Sequence, residues 1–278
     1  MEAKFESQGF GKRLKSMLKV DFRRMFTTPL LYIMLGVSFV IPILVLVMTT
    51  MMGEPADPVA VTSAVTPHPG VDATAPMEAF ENVWQIIGSV SGDAASGMAG
   101  GMSLTTMCNI NLVYFLAAVL VCLFVSEDFR SGYAKNLFTV RAKKTDYVIS
   151  KTLVGFVGGA LMLLCFFLGG MIGGAVAGLP FETEATAGEL VACIVSKVFL
   201  MAVFVAIFLA VSVAAKQKSW LSIIGSLGAS MLLFSMIPMI TPLDSNLVNI
   251  VMCFAGGALF SVGLGAVSNL ILNKTSLV

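Results

Sequence analysis

Few side chains in this sequence could carry acid–base, nucleophilic or metal chemistry. His68 is the single histidine, and the five cysteines follow no metal-binding spacing. The cysteines are Cys108, Cys122, Cys165, Cys193 and Cys253. His68 lies outside the long apolar runs, so a serine-type intramembrane protease lacks its histidine. The same runs contain no Asp or Glu, so a paired-aspartate protease lacks its carboxylates. The sequence therefore predicts no catalytic residue and no metal site, and the cysteines are expected to pack as small apolar side chains.

A phosphate-binding loop is not predicted either. Such a loop reads GxxxxGK[ST], because its backbone amides surround the phosphates while the lysine reaches them. The nearest string is ESQGFGKR, which has Glu6 in place of the first glycine and Arg13 in place of Ser or Thr. If the chain does work, the energy is therefore expected to come from a partner.

Lys197 is the one ionisable residue within an apolar run. A lysine at the centre of a bilayer costs about 2.5–3.5 kcal/mol on insertion scales. Its stem could snorkel to the headgroups near the acidic residues Glu182, Glu184 and Glu189. It could instead line a translocation path or a subunit interface, and the sequence leaves both interpretations open.

The composition is that of a membrane protein. Hydrophobic residues make up 57% and charged residues 12% of the 278 residues, about half the charged fraction of a soluble domain. A helix needs about 20 apolar residues to cross a hydrocarbon core of ~30 Å. We predict six such spans, at 29–52, 109–125, 152–179, 190–214, 220–240 and 247–272. The predicted fold is all-α, with residues 1–278 forming a single transmembrane domain.

Positive charge is confined to one side of the predicted membrane. Every Lys and Arg other than Lys197 lies in 1–28, in the loop 126–151, between the fourth and fifth spans, or in the tail. The loop 53–108 has none and carries several acidic residues. By the positive-inside rule, both termini are cytoplasmic and 53–108 is extracellular. We therefore expect a multi-pass protein of a bacterial plasma (inner) membrane.

Two further segments have amphipathic patterns. In 1–28, apolar residues alternate with basic ones in a helical pattern, which favours a helix lying in the cytoplasmic interface; a basic tail that only sets topology is the alternative. Its apolar residues are Leu14, Leu18, Phe22 and Met25. In 53–108, Met77, Phe80, Trp84 and Ile87 predict one stripe of an amphipathic helix, with Trp84 at the membrane–water boundary or beside an exit path.

Glycines recur every four residues in the third predicted span. Gly155/Gly159, Gly169/Gly173 and Gly174/Gly178 have the spacing that lets neighbouring helices approach closely. We expect them to pack within the chain. Pro42 and Pro238 are expected to kink the first and fifth spans.

The loop between the second and third spans reads SEDFRSGYAKNLFTVRAKKTDY. Phe129, Tyr133 and Leu137 are four residues apart, which predicts a short helix with one aromatic and apolar face. Phe138 lies beside that face, and Gly132 permits a bend. A helix on the membrane surface, flanked by charges that set topology, is the alternative interpretation.

This loop resembles the coupling helix of ABC type-2 permeases, the six-span membrane subunits of ABC exporters. Their loops read E-x-x-x-G-T-x-K-x-L, followed by a basic cluster and a span that opens with a lysine. Comparable places are occupied by Glu127, Gly132, Lys135, Leu137, Arg141 and Lys151. The spacing from Glu127 to Gly132 is one residue longer than in the family pattern, and Tyr133 replaces the usual small residue. The segment before the first span is similar to the interfacial connecting helix of the same family.

The resemblance implies a dimer, expected to be a homodimer, that binds two cytosolic ATPase subunits through this loop. ATP and Mg are then expected on the ATPase partner, with no cofactor in this chain. The implied docking residues are Glu127, Asp128, Phe129, Arg130, Gly132, Tyr133, Lys135, Leu137 and Phe138. The expected substrate is amphipathic or hydrophobic: a peptide toxin, an antimicrobial peptide or a drug. Nucleic acid is not an expected partner.

Two other functions remain open from the residues alone. One is an ion-driven carrier or channel without an ATPase partner, and the other is a scaffold or assembly protein of the membrane. A proton-driven carrier is disfavoured because such carriers usually rely on carboxylates or histidines within the spans, and the predicted spans contain neither.

Overall fold

The computed structural model describes residues 9–52, 80, 82–89, 108–140, 143–183, 185–216, 218–234 and 236–274. In these parts of the chain the regular structure is helical. The helices are α1 (Phe10–Thr27), α2 (Pro29–Met52), α3 (Leu112–Arg130), α4 (Tyr133–Val140), α5 (Lys144–Ala177), α6 (Ala187–Ala215), α7 (Ser219–Phe234), α8 (Ile237–Ile240) and α9 (Leu247–Lys274), with a 3-10 turn at Val83–Ile86.

Five of the described helices are long and apolar enough to cross a membrane: α2, α3, α5, α6 and α9. The region predicted as the fifth span is instead divided between α7, of 16 residues, and the short α8. Pro238 lies in the first turn of α8, where its missing N–H costs no hydrogen bond. The chain therefore begins a new helix just before Pro238 rather than kinking one continuous helix. By contrast, α2 continues through Pro42.

Helix α5 lies at the centre of the bundle, and its glycines permit the close approach of its neighbours. A Cβ atom at Gly173 would lie 2.8 Å from the Cα of Ile43 in α2. On another face, a Cβ at Gly159 would lie 2.7 Å from the Cγ of Met201 in α6. The predicted packing of these glycines within the chain is confirmed. Gly178 has a different role, since it ends α5 in the left-handed conformation with φ +72°.

Residues 82–89 form a cover segment over the end of the bundle near the C-terminus of α5. Its side chains Val83, Ile86 and Ile87 are buried, as is Phe80 just before it. The described part contains the 3-10 turn rather than the predicted amphipathic helix, and the Asn82 side chain accepts a hydrogen bond from the backbone N–H of Gln85. Met77, the first residue of the predicted stripe, lies outside the described residues.

The amphipathic helix predicted near the N-terminus is α1. Its buried residues are Met17, Asp21 and Met25, which follow one another at four-residue spacing. The predicted apolar residues Leu14, Leu18 and Phe22 flank this face and are half-buried. One aspartate therefore lies in the middle of the face that α1 packs against α5.

Candidate functional site

Three helices bring charges together at the end of the bundle opposite the cover segment, and a fourth helix adds an aromatic ring. Asp21 comes from α1, Asp128 from the last turn of α3, and Lys151 from the second turn of α5. The relative exposures of Asp21, Asp128 and Lys151 are 0%, 0% and 1%. Tyr133, the first residue of α4, adds an aromatic ring to the same place. We call this set, together with Arg24, Tyr147 and Ser150, the ion cluster.

The charges of the ion cluster are matched. The Lys151 Nζ lies 2.9 Å from Asp21 Oδ1 and 2.6 Å from Asp128 Oδ2. The Arg24 Nη1 lies 2.7 Å from Asp128 Oδ1. Two carboxylates therefore face two cations, and the cluster carries no net charge.

Hydroxyl groups complete the carboxylate contacts. Tyr147 donates its O–H to Asp128 Oδ2 at 3.0 Å, and Ser150 donates to Asp21 Oδ2 at 2.6 Å. Every carboxylate oxygen of the two aspartates thus has a partner. Buried charges are tolerated when they are paired and fully hydrogen-bonded, because only then is the loss of hydration offset.

Aromatic rings connect the cluster to α4. The guanidinium carbon of Arg24 lies 4.1 Å from the ring centroid of Tyr133, and Lys151 Nζ lies 4.1 Å from that of Phe124. Burial alone would lower the pKa of Arg24, but the charge and hydrogen bond of Asp128, together with Tyr133 and Asp21, more than offset this and the pKa is raised. Burial, followed by the charge of Asp21, also raises the pKa of Tyr133. Arg24 therefore stays charged and Tyr133 neutral.

Two further contacts hold the helices around the cluster. Arg13 Nε of α1 lies 3.0 Å from Asp146 Oδ2 in the first turn of α5. Lys144 donates from Nζ to the carbonyl oxygen of Leu272 in α9 at 2.7 Å. Helix α5 is thus joined at this end to both the first and the last described helix of the chain.

Comparison with family models decides what kind of protein carries this arrangement. Residues 83–234, just over half of the chain, match the model of the ABC-2 family transporter protein. The chain belongs to the ABC-2 transporter family. Comparisons with curated proteins and with solved structures give no match.

Membership of the ABC-2 family confirms the resemblance noted in the sequence at the level of the family. An ABC-2 protein is the membrane component of an ABC transporter, and it works with an ATP-binding partner subunit. The matched residues include the α3–α4 corner and the Lys151 side of the ion cluster, whereas Asp21 and Arg24 lie before the match.

In this ABC-2 protein the predicted docking residues divide into inward and outward sets. Gly132, with φ +74°, separates α3 from α4, so Phe129 and Tyr133 lie on different helices rather than on the single predicted helix. Phe129 and Phe138 both pack edge-on against the ring of Tyr147, with centroids 6.3 and 5.4 Å away. These rings are anchors within the chain.

The outward set is polar. Glu127, Arg130 and Lys135 are exposed, whereas Asp128 is buried in the ion cluster. Leu137 is half-buried and packs against the core. The exposed part of the α3–α4 corner therefore presents charged side chains, and its apolar side chains hold the corner in place.

Sequence reasoning missed Asp21, Arg24, Tyr147 and Ser150 as site residues. The sequence does single out Asp21, because it is the one acidic residue of α1 and lies between Met17 and Met25 at helical spacing. It does not single out Tyr147 and Ser150, because their role depends on how α3 and α5 are arranged in space.

At the other end of the ABC-2 bundle, the structure corrects the snorkelling interpretation of Lys197. Its side chain is 1% exposed and points into the bundle, where Nζ donates to Thr241 Oγ1 at 3.0 Å and to Asn111 Oδ1 at 3.3 Å. Trp84 is half-buried, and its indole N–H donates to the carbonyl oxygen of Phe181 at 2.9 Å. Trp84 thus fastens the cover segment to the loop before α6.

Proposed function

We propose that this chain is the six-span membrane subunit of an ATP-driven exporter in a bacterial inner membrane. Two copies form a homodimer that binds two cytosolic ATPase subunits. The substrate is amphipathic or hydrophobic: a peptide toxin, an antimicrobial peptide or a drug. Both termini are cytoplasmic, so the ion cluster lies at the cytoplasmic end and the cover segment at the outer end.

The observation that carries the proposal is the two-sided α3–α4 corner. Its outward side presents Glu127, Arg130 and Lys135, a charged surface that suits a soluble partner. Its inward side joins the ion cluster through Asp128 and through the stacking of Tyr133 on Arg24. A displacement of α4 by an ATPase is therefore passed to α1 and α5 through short contacts.

In this proposal, α7 and α8 together form the fifth of the six spans. At about 1.5 Å per residue, the 16 residues of α7 extend about 24 Å, somewhat less than a hydrocarbon core of ~30 Å. The short α8 follows along the chain and ends just before Thr241, whose hydroxyl contacts the Lys197 Nζ. Six crossings agree with basic residues at both ends of the chain.

The test is co-purification of this subunit with its ATPase. Replacing Lys135→Glu reverses the charge of an exposed side chain on α4, so we expect the fold to be retained. We expect about a tenfold loss of ATPase affinity, because the reversed charge would face like charge on the partner. The matched control is Glu182→Lys, an exposed charge at the other end of the bundle, which should bind normally.

The proposal fails if K135E binds the ATPase as well as the unmodified subunit does and if the chain moves substrate in an ion gradient without ATP. That result would make the chain a carrier that needs no ATPase.

A further inference from the structure

Lys197 is the second deeply buried lysine of the described chain, and it is handled differently from Lys151. Lys151 contacts two carboxylates, at 2.9 and 2.6 Å. Lys197 contacts one amide oxygen and one hydroxyl oxygen, both neutral. Among the described residues no carboxylate forms an ion pair with it. Within the described residues, one buried lysine is thus paired with two carboxylates, and the other has only neutral oxygen partners.

The surroundings of Lys197 make an unmatched charge costly. An ammonium group has three N–H donors, and the described structure gives it two acceptors. The neighbouring ionisable groups are the thiols of Cys193 and Cys253. Asn111 is also the N-cap of α3, where the helix dipole disfavours a cation. An anion placed against Nζ would use the third donor and balance the charge.

Asp244 lies at the same end of the bundle, within electrostatic range of the Cys193 thiol, and has interactions of its own. The acceptors Asn111 and Thr241 come from α3 and the end of α8, so three helices converge on the ammonium. Tyr114 fixes this part of α6 as well, since its hydroxyl donates to the Lys197 carbonyl oxygen at 2.9 Å.

The described part of the cover segment is hydrogen-bonded to the chain on both sides of Lys197. Ile110, next to Asn111, donates its N–H to the Ile86 carbonyl at 2.8 Å. Leu243, two residues after Thr241, donates to the Ser89 carbonyl at 2.9 Å. The segment therefore contacts both chain stretches that hold the lysine. Displacing the segment would break these backbone hydrogen bonds and expose the buried side chains Val83, Ile86 and Ile87.

We propose that Lys197, oriented by Asn111 and Thr241, binds the oxyanion of an amphipathic molecule, a carboxylate or a phosphate attached to an apolar tail. The apolar bundle around the lysine selects the tail, and the ammonium selects the charge. This inference rests on the proposed export function and narrows its substrate class to amphipathic anions. Bilayer lipids and transported solutes share this chemistry, and the experiment separates them.

The experiment uses the full chain in phosphatidylcholine nanodiscs, with dodecanoate as the probe. The chain has two tryptophans, Trp84 and Trp220. Trp220 is 63% exposed, so W220F leaves Trp84 in the cover segment as the fluorescent reporter. Dodecanoate is expected to change the Trp84 emission with saturation. Lys197→Met should weaken binding about 10- to 100-fold, the value of one hydrogen bond to a charged group, whereas K197R should retain it.

Matched controls follow from the same chain. Lys218→Met removes an exposed lysine and should leave binding unchanged. Dodecanol, which has the same tail without charge, should bind equally to the unmodified chain and to K197M. If K197M does not fold, Thr241→Val removes one acceptor at nearly constant volume and should weaken dodecanoate binding by a smaller factor.

The source of the oxyanion is decided by competition. If phosphatidylglycerol in the nanodisc displaces dodecanoate through Lys197, the occupant is a bilayer lipid. If it does not, the occupant is a solute. The inference is overturned if K197M binds dodecanoate as the unmodified chain does, or if dodecanol shows the same dependence on Lys197. Binding is measured without an ATPase, so a chain that binds dodecanoate but no ATPase would refute the export function alone.

Discussion

At the scale of residues, this protein places charges in its interior in two ways. Asp21, Asp128, Arg24 and Lys151 neutralise one another within the ion cluster, whereas Lys197 has neutral partners only among the described residues. The sequence indicates that Lys197 is unusual because it interrupts an apolar run. It does not indicate the cluster, because its members are separated by up to 130 residues along the chain.

The ion cluster gives a prediction about stability. Lys151→Met should lower the free energy of unfolding by about 3–5 kcal/mol, because it leaves two buried carboxylates with one guanidinium. Adding Asp128→Asn removes one negative charge and should recover part of the loss, with a coupling energy of about 0.5–3 kcal/mol. Chemical unfolding in detergent micelles measures both.

The control for this prediction is Lys143→Met, which removes an exposed lysine just before α5. A surface change of this kind should stay within about 0.5 kcal/mol. Equal losses for K143M and K151M would mean that the cluster contributes nothing specific to stability.

At the scale of elements, the apolar runs of the sequence predict where helices form but not where all of them begin and end. Helix α5 begins at Lys144, eight residues before the predicted span. The apolar run used to predict the span begins only after the polar stretch 144–151. In the structure, Asp146, Ser150 and Lys151 of this stretch are each hydrogen-bonded to a side chain of α1. The helix therefore continues through residues that appear incompatible with a membrane-embedded bundle when they are considered singly.

The division between α7 and α8 is a second departure from the predicted spans. Pro238 is a visible signal for a break, but the sequence does not say whether the chain bends or begins a new helix. The contact between Lys197 and Thr241 at the end of α8 is formed by the second arrangement, so the break positions a residue of the proposed oxyanion site.

The glycines of α5 give the prediction at this scale. Gly169→Ala would place its Cβ against the backbone of Phe39 and 2.9 Å from the Cγ of Pro42. Backbone atoms cannot move aside as a flexible side chain does, so α2 and α5 must separate. We expect a loss of about 1–3 kcal/mol in the free energy of unfolding.

Gly256→Ala in α9 is the matched control, because nothing lies within 4 Å of the position its Cβ would take. Alanine favours a helix over glycine by about 0.5–1 kcal/mol, so G256A should be neutral or stabilising. The account of α5 packing is contradicted if G169A and G256A unfold at the same denaturant concentration.

At the scale of the whole molecule, the two ends of the bundle have different tasks in the proposed exporter. One end carries the exposed α3–α4 corner and the ion cluster, and the other carries the cover segment and Lys197. Helix α5 extends over 34 residues from Lys144 to Ala177. It contacts the cluster at its start and Val83 of the cover segment at Gly174 near its end. It therefore provides a continuous helical connection between the two.

The all-α, membrane-spanning character is the part of the molecule that is most readable from sequence. Apolar length and the distribution of Lys and Arg are properties of single segments, so they predict an all-α membrane protein without knowledge of contacts. The resemblance of the 126–147 loop added the family, which the match over 83–234 confirms. The partition of that loop into buried anchors and an exposed face depends on the helices packed beneath it.

In the proposed exporter, motion that enters at α4 reaches the opposite end of the bundle through the ion cluster. The most direct test uses Trp84 as the reporter, in the W220F chain bound to its ATPase. Addition of ATP should change the Trp84 emission. Arg24→Gln removes both the contact with Asp128 at 2.7 Å and the stacking on Tyr133, while the exposed face of α4 is untouched.

We therefore expect R24Q to bind the ATPase and hydrolyse ATP, but to lose most of the ATP-dependent change at Trp84. The control K143Q, with an exposed lysine replaced, should keep it. An R24Q subunit that hydrolyses ATP and still shows the full Trp84 response would contradict the account, because the motion would then reach the cover segment by another route.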